Sequence, residues 1–440
     1  MFERPKKQRR AYPVILWSAL LVLALFGGCG KKPPAAVFPD TTPTTALLAD
    51  SQLHQFATHL KAMPEDQRAA AVQQFLLEHP VSPITEGNRL AGILWYGKAQ
   101  TVFINGDLQR AWTRPEPLDA IACGESTLFY CLRQAPPDAR LDYLLNVDGQ
   151  NTTDPRNPRV TPSGFGPHSE IIMPAFQPNP ARRFRDDIAH GTLATLSFTN
   201  RIAPRLPRTL KVYEPAAYDG STRLPTLYVY DGLEALDYMA YTNVLDNLIA
   251  EGKIRPVLVV FVSMLPEDGQ LIPDKLTTLA NIVCDEIVPV IDGDYPTLHD
   301  SSNRAIAGIS IWGHLALMTA LSHPEVFLLA AGQSSTVTDS LLKVLRQATG
   351  NAQARPPFRF YLDVGNYDLV AGGIDGLPFL QANQRLRAEL EQCGVPCQFQ
   401  AVNDGHQWAN WRERTDALLR YFFPPATNPA APSEAPGPPR

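Results

Sequence analysis

From about residue 191 the chain alternates between short apolar runs and amphipathic segments, and this order limits its fold more than any other feature. LATLSFTN and RTLKVYEP read as strands, followed by LPTLYVYDG, RPVLVVFVSM, NRAIAGIS, VFLLAAGQSS and FRFYLDVG. Helical stretches separate the later runs: YTNVLDNLIAEGKI, ANIVCDEIVPVIDGDY, SIWGHLALMTALSHP and QANQRLRAELEQCG. RPVLVVFVSM is apolar without a polar alternate, as a strand buried on both faces of a parallel sheet requires. Strand–helix alternation of this kind predicts a doubly wound, mostly parallel α/β sheet over residues 186–423.

The preceding region has a different grammar. Over residues 86–185, ILWYG, TVFIN, TLFYCLR and LDYLLNVDG are brief β-rich runs cut by Gly, Pro, Asp and Asn, which predicts a small Ig-like β-sandwich. NTTDPRNPRVTPSGFGPHSEIIMP is dense in turn residues and reads as a covering loop. Residues 51–85 place apolar side chains at helical spacing. A chain of 440 residues holds two or three such units. Its 41 prolines, roughly twice ordinary usage, argue against a long helical bundle.

The N-terminus reads as an export signal. Five cations within MFERPKKQRR precede an apolar run from about Val14 to Phe26, shorter than the roughly 20 residues that span a bilayer. The run ends Gly27-Gly28-Cys29, similar to the lipobox of bacterial lipoproteins, in which the cysteine becomes the first residue and is acylated. Residues 1–28 are then a signal peptide, 29–50 a Pro- and Thr-rich tether, and 424–440 a disordered Pro-rich tail. Gly30 in place of an aspartate after Cys29 favours the outer membrane, on the periplasmic side of the cell envelope. The net charge is −5, and because the first 28 residues hold five of the 39 cations and one of the 44 acids, the remainder carries −9. No basic excess exists for nucleic acid.

Of the other five cysteines, Cys123 with Cys131 and Cys393 with Cys397 are close enough in sequence to form disulfides in an oxidising compartment, leaving Cys284 as a buried thiol. No histidine stands at ligand spacing beside them, so no metal site is expected.

The informative junction is AIAGIS–IWGHLALMTAL, an apolar strand running directly into a helix at Gly308-Ile309-Ser310-Ile311-Trp312-Gly313. A strand–turn–helix serine in a glycine setting is the context of a nucleophile elbow, although Trp312 stands where G-x-S-x-G has its last glycine. On spacing alone Ser310 is equally a helix N-cap. His406 in DGHQWANWR lies between a strand and the last helix, where a general base would sit. Asp368, just past the strand FRFYLDVG, lies between the two in chain order and would orient the imidazole; Asp363 and then Asp375 are the competitors. At the end of LPTLYVYDG, the N–H groups of Gly232 and Leu233 could join that of Ile311 in an oxyanion hole. His314, one turn beyond Ser310, reads as a packing residue. No phosphate-loop or H-E-x-x-H pattern occurs, and no cofactor is expected.

Taken together, several stretches resemble the enterochelin (ferric-enterobactin) esterase family within a wider esterase group of α/β-hydrolases. They include LDYLLNVDG…DPRNPR, GFGPHSEIIMP, YVYDG, VLDNLIAEGKIRPVLVVFV, CDEIVPVIDGDY, RAIAGIS, LDVGNYD, QANQRLRAEL and DGHQWANWR, in family order from about residue 90 to 423. The resemblance implies an Ig-like domain over a hydrolase domain, with Ser310 as nucleophile, Asp368 as acid, His406 as base and the Asp231-Gly232 turn as the oxyanion segment. Ile309 and Trp312 depart from the family's G-Q-S-x-G-G, and LPEDGQLIPDKLTTLANI replaces an Arg- and Phe-containing motif before the CDEIVPVID helix. The expectation is a monomeric serine esterase, lipid-anchored in the envelope, acting on small siderophore-like acyl or lactone esters. A non-catalytic binding lipoprotein, for which Trp312 is the argument, and a carbohydrate ester hydrolase or acyltransferase are the competing readings.

Overall fold

The computed structural model describes residues 40–201, 207–264, 276–351, 353, 355–371 and 373–425. The export signal, Cys29 and the tail beyond residue 425 lie outside them.

Three helices open the described chain: α1 (Thr45–Ala49), α2 (Gln52–Ala62) and α3 (Glu65–Glu78). Ser51 caps α2, its hydroxyl accepting the His54 N–H at 3.0 Å. The end of the expected tether is therefore folded. It contains α1, and the Gln134 N–H donates to the Thr41 carbonyl at 2.9 Å.

Ten strands follow: β1 (Ile84–Glu86), β2 (Leu90–Gly97), β3 (Val102–Gly106), β4 (Glu116–Pro117), β5 (Asp119–Cys123), β6 (Ser126–Gln134), β7 (Arg140–Val147), β8 (Gln150–Thr152), β9 (Val160–Thr161) and β10 (His168–Ile172). They form two antiparallel sheets, β1-β2-β6-β5 and β4-β3-β7-β10-β9, with β8 paired to β7. Alternation along β2 separates two cores. Ile93 faces the inter-sheet core with Ile104, Leu141 and Ile171, whereas Leu94 faces outward onto Leu53, Leu60 and Phe75 of α2 and α3. The helical segment thus covers the outer face of the first sheet.

The second unit is one eight-stranded sheet. Its strands are β11 (Thr192–Thr199), β12 (Pro207–Glu214), β13 (Thr226–Tyr230), β14 (Leu258–Val262), β15 (Arg304–Ile309), β16 (Leu329–Gln333), β17 (Arg359–Gly365) and β18 (Cys397–Val402), in the order β11-β12-β14-β13-β15-β16-β17-β18. The six from β14 to β18 pair in parallel, and β11 and β12 add an antiparallel edge. Every residue of β13, β14, β15 and β16 is buried, because helices cover both faces. On one face pack α6 (Leu276–Asn281), continued through a π-turn into α7 (Val288–Asp294), together with α8 (Ser310–Ser322), α9 (Asp339–Thr349) and α10 (Phe379–Gln392). The other face holds α4 (Gly232–Tyr238), α5 (Tyr241–Ala250), α11 (Trp408–Arg412) and α12 (Thr415–Phe422).

The expected disulfides do not form: Cys123, Cys131, Cys393 and Cys397 are free thiols, as is Cys284. Cys123 pairs across the hairpin with Ser126, so Cys131 lies five residues further along β6, roughly 17 Å at about 3.4 Å per residue. The two also face opposite sides of the sheet, Cys131 toward the inter-sheet core and Cys123 toward the helices. A disulfide tolerates no such separation. Cys393 ends α10, and the left-handed turn at Gly394 sends Cys397 into pairing with Phe360 on β17. Alkylation of the denatured chain without reductant should label all four of these cysteines, as read by peptide mass spectrometry.

His314 is buried in α8, and its Nδ1–H donates to the Thr336 carbonyl at 3.1 Å. Burial pulls its imidazole down to about 4, with the Thr336 bond opposing. As pH falls below about 6.5 the unfolded chain takes up a proton that the native state refuses, so stability is lost between about 6.5 and 4. The loss at pH 5 relative to pH 7 is about 2 kcal/mol for this group. His314→Gln should flatten this part of the acid limb in urea unfolding curves at the two pH values.

Candidate active site

Residue 308 has no room for a side chain. A Cβ on Gly308 would lie 2.3 Å from the Trp312 carbonyl oxygen, so strand β15 and the first turn of α8 touch through backbone alone. The chain reverses between them at Ser310, whose φ of 51° is left-handed and strained for a residue with a side chain. The second glycine requirement falls at Gly313, where a Cβ would meet the Ser335 hydroxyl at 2.5 Å. Residue 312 enters the tight contact through its backbone alone, so a large side chain is accepted there. The half-buried Trp312 packs at the margin of both cores and hydrogen-bonds to the Asp231 carboxylate.

His406 lies in the loop between β18 and α11. Phe379 and Trp411 hold its ring edge to face, each with centroids 5.0 Å away. The Ser310 hydroxyl donates to Nε2 at 2.9 Å, and Nδ1–H donates to Asp368 Oδ1 at 2.7 Å. The indole of Trp312 therefore does not stand between serine and histidine. The Asp368 side chain is fully buried, whereas that of His406 is 13 % exposed and Ser310 is half-buried, so the relay meets solvent at its serine and imidazole end. Burial alone would raise the Asp368 carboxyl. The His406 charge and Nδ1–H, the Ser334 hydroxyl and the Leu369 N–H outweigh it and hold the carboxyl below the usual carboxylate range.

The structure separates Asp368 from its competitors. Asp363 is buried within β17 between the Gln333 amide at 3.0 Å and the Arg414 guanidinium at 3.2 Å, and it does not touch His406. Asp375 pairs with Arg385 at 2.7 Å on the surface.

Strands β13 and β15 are parallel neighbours with Val229 opposite Ala307. Their ends lie side by side, so α4 and α8 start on adjacent strand ends. The first-turn N–H groups of Gly232, Leu233 and Ile311 have no acceptor within their helices. Gly232 is again a contact glycine, since a Cβ would lie 2.5 Å from the Val262 nitrogen. Asp231 and Ser334 share the left-handed conformation of Ser310, with φ of 54° and 47°. Strain thus concentrates at the ends of β13, β15 and β16. Burial and the neighbouring Glu234 push the Asp231 carboxyl well above the usual carboxylate range.

The assembled groups can move a proton from a hydroxyl to an imidazole while neighbouring N–H groups receive a developing negative charge. Phe379, Trp411 and Ser334 escaped the sequence reading. Trp411 left a signal as the second tryptophan of DGHQWANWR, and Ser334 stands in AGQSS, another stretch that resembles the family. Among the described residues no cluster of three or more His, Cys, Asp or Glu could hold a metal ion, and no helix is long and apolar enough to cross a membrane.

Comparison with known proteins agrees with this architecture. Residues 203–422, half of the chain, match the family described as "Putative esterase". A stretch of 201 residues is 30% identical to an endo-1,4-beta-xylanase/feruloyl esterase of Xylanibacter ruminicola, covering 42% of this chain and 27% of that protein. The iron(III) salmochelin esterase of Escherichia coli is 23% identical over 321 residues, 68% of this chain and 75% of that one. The crystal structure of the enterobactin esterase of Shigella flexneri aligns with a TM-score of 0.63 at 16% identity, over 80% of this chain and 97% of that one. The chain belongs to that esterase family, and it shares the fold of the enterobactin esterase.

Proposed function

We propose that this protein is a serine esterase, anchored to the cell envelope through a lipid on Cys29 and acting on small acyl or lactone esters of the siderophore type. The observation that carries the catalytic reading is the continuous hydrogen-bonded line from Ser310 through His406 to a buried Asp368 on a strained elbow. In the first half-reaction Ser310 Oγ attacks the ester carbonyl as its proton passes to His406 Nε2. Asp368 keeps Nδ1 protonated and stabilises the imidazolium. The carbonyl oxygen takes up the negative charge beside the N–H groups of Ile311, Gly232 and Leu233, each such donor contributing about 3–4 kcal/mol. The C–O bond then breaks, and His406 returns its proton to the leaving alkoxide. Water repeats the sequence on the acyl-serine and restores the free hydroxyl.

The β-sandwich is our Ig-like domain, and the protein acts as a monomer in this reading. The match to part of an endo-1,4-beta-xylanase/feruloyl esterase supports a second substrate class, carbohydrate-linked acyl esters, on the same machinery.

A fluorophosphonate probe should label the wild-type chain, and Ser310→Ala should abolish the labelling. Because Trp312 lies off the serine–histidine line, Trp312→Gly should change the labelling rate by less than about tenfold. A chain that labels only as Trp312→Gly would instead favour a binding protein closed by its indole, and no labelling of either would remove Ser310 as nucleophile. Turnover of a ferric catecholate lactone set against methyl ferulate separates the two substrate classes. For the anchor, Cys29→Ser should abolish incorporation of labelled palmitate in cells and release the protein from the membrane fraction.

A further inference from the structure

The loop that presents His406 is gripped by the β-sandwich, more than 260 residues earlier in the chain. Asp107, just after β3, is buried, and one of its carboxylate oxygens accepts both the Asp142 N–H at 2.8 Å and the Asn410 side-chain amide at 3.2 Å. Asn410 is wholly buried on α11, four residues beyond His406, and its carbonyl oxygen accepts from the Arg140 guanidinium. Both ends of this amide are thus occupied by sandwich residues. On the other side of His406, a Cβ on Gly405 would lie 2.1 Å from the Asp107 carboxyl carbon. The Gly405 backbone therefore rests directly on the carboxylate. Two residues further back, the Asn403 carbonyl accepts the Arg140 N–H at 3.0 Å.

The acid is held from the same direction. Tyr367, adjacent to Asp368, is buried in the inter-sheet core of the sandwich, and the Val370 N–H donates to the Arg110 carbonyl at 2.9 Å. The loops carrying His406 and Asp368 cannot shift without stranding buried polar groups, which costs about 1–3 kcal/mol for each.

We propose that Asp107 and Asn410 are positioning residues for His406: the sandwich carboxylate braces Gly405 on one side of the histidine and holds α11 through Asn410 on the other, fixing the imidazole on the Ser310 hydroxyl. This rests on the reading of His406 as the general base. The sandwich is then part of the reaction machinery, and its effect reaches turnover more than ground-state binding. A misplacement of about 1 Å in such a relay can cost about a hundredfold in rate.

The test uses the full chain with p-nitrophenyl acetate as probe substrate, together with fluorophosphonate labelling of Ser310 and thermal melting. Asp107→Ala should lower kcat and the labelling rate about tenfold to a hundredfold while KM changes less than about threefold. Asp107→Asn keeps an oxygen for the Asp142 N–H and the Asn410 amide, and should recover most of the lost rate. Asp107→Ala with wild-type kcat would overturn the proposal. So would equal losses in the Ala and Asn variants, which would make the carboxylate charge, and not its grip, the relevant property. If Asp107→Ala does not fold, Asn410→Ser carries the same expectation, since it removes the bridge and leaves Asp107 bonded to the Asp142 N–H. A wild-type chain that neither labels nor hydrolyses fails the serine-esterase reading, and this proposal with it. A wild type that labels beside an undiminished Ala variant fails this proposal alone.

Discussion

The backbone contact between Gly308 and the Trp312 carbonyl is the constraint on which the rest of the site depends. It brings the end of β15 against the first turn of α8 with no side chain between them, and it leaves Ser310 to make the reversal in a left-handed conformation. Strain of that kind costs about 1–3 kcal/mol and persists only where the surroundings over-determine it. Here the surroundings are a strand buried along its whole length and a helix buried on nearly every side. The result is a hydroxyl lifted above the sheet at the common end of its parallel strands, where the other loops can reach it.

Those loops meet the serine from two directions. His406 arrives from β18 and Asp368 from β17, each braced beneath by hydrolase residues and from the side by the sandwich. Charge is managed by the same packing. Asp368 stays ionised although buried, because the imidazole, a hydroxyl and an N–H all favour its charge. For Asp107 the balance falls the other way. Burial and the neighbouring Asp142 push its carboxyl up to about 7, against the Asp142 N–H, the Asn410 amide and Arg140.

Much of this was legible before folding. Uninterrupted apolar runs such as Leu258–Val262 announced strands buried on both faces, and the order Ser310, Asp368, His406 along the chain marked the candidate relay. Local pattern failed where the outcome depended on three-dimensional register. Cys123 and Cys131 look like a pair in the sequence, yet hairpin pairing carries them to opposite ends and opposite faces of one sheet. Trp312 looks obstructive at the position of an expected glycine, yet the tight contact falls on its backbone and on Gly313. The stretch before Asp50 has a tether's composition, but a short helix and a bond to Thr41 attach it to the first sheet.

The sequence by itself determined the layered α/β body, the small β-rich unit before it and the three residue types of the relay, because periodicity and strand–helix junctions are local and follow from burial and backbone sterics. Only the tertiary structure decided which aspartate serves His406, why Gly405 must be glycine, and that Asp107 and Asn410 meet across 303 residues. Those facts depend on side chains distant in sequence being brought to within hydrogen-bond reach, and no local pattern encodes such a distance.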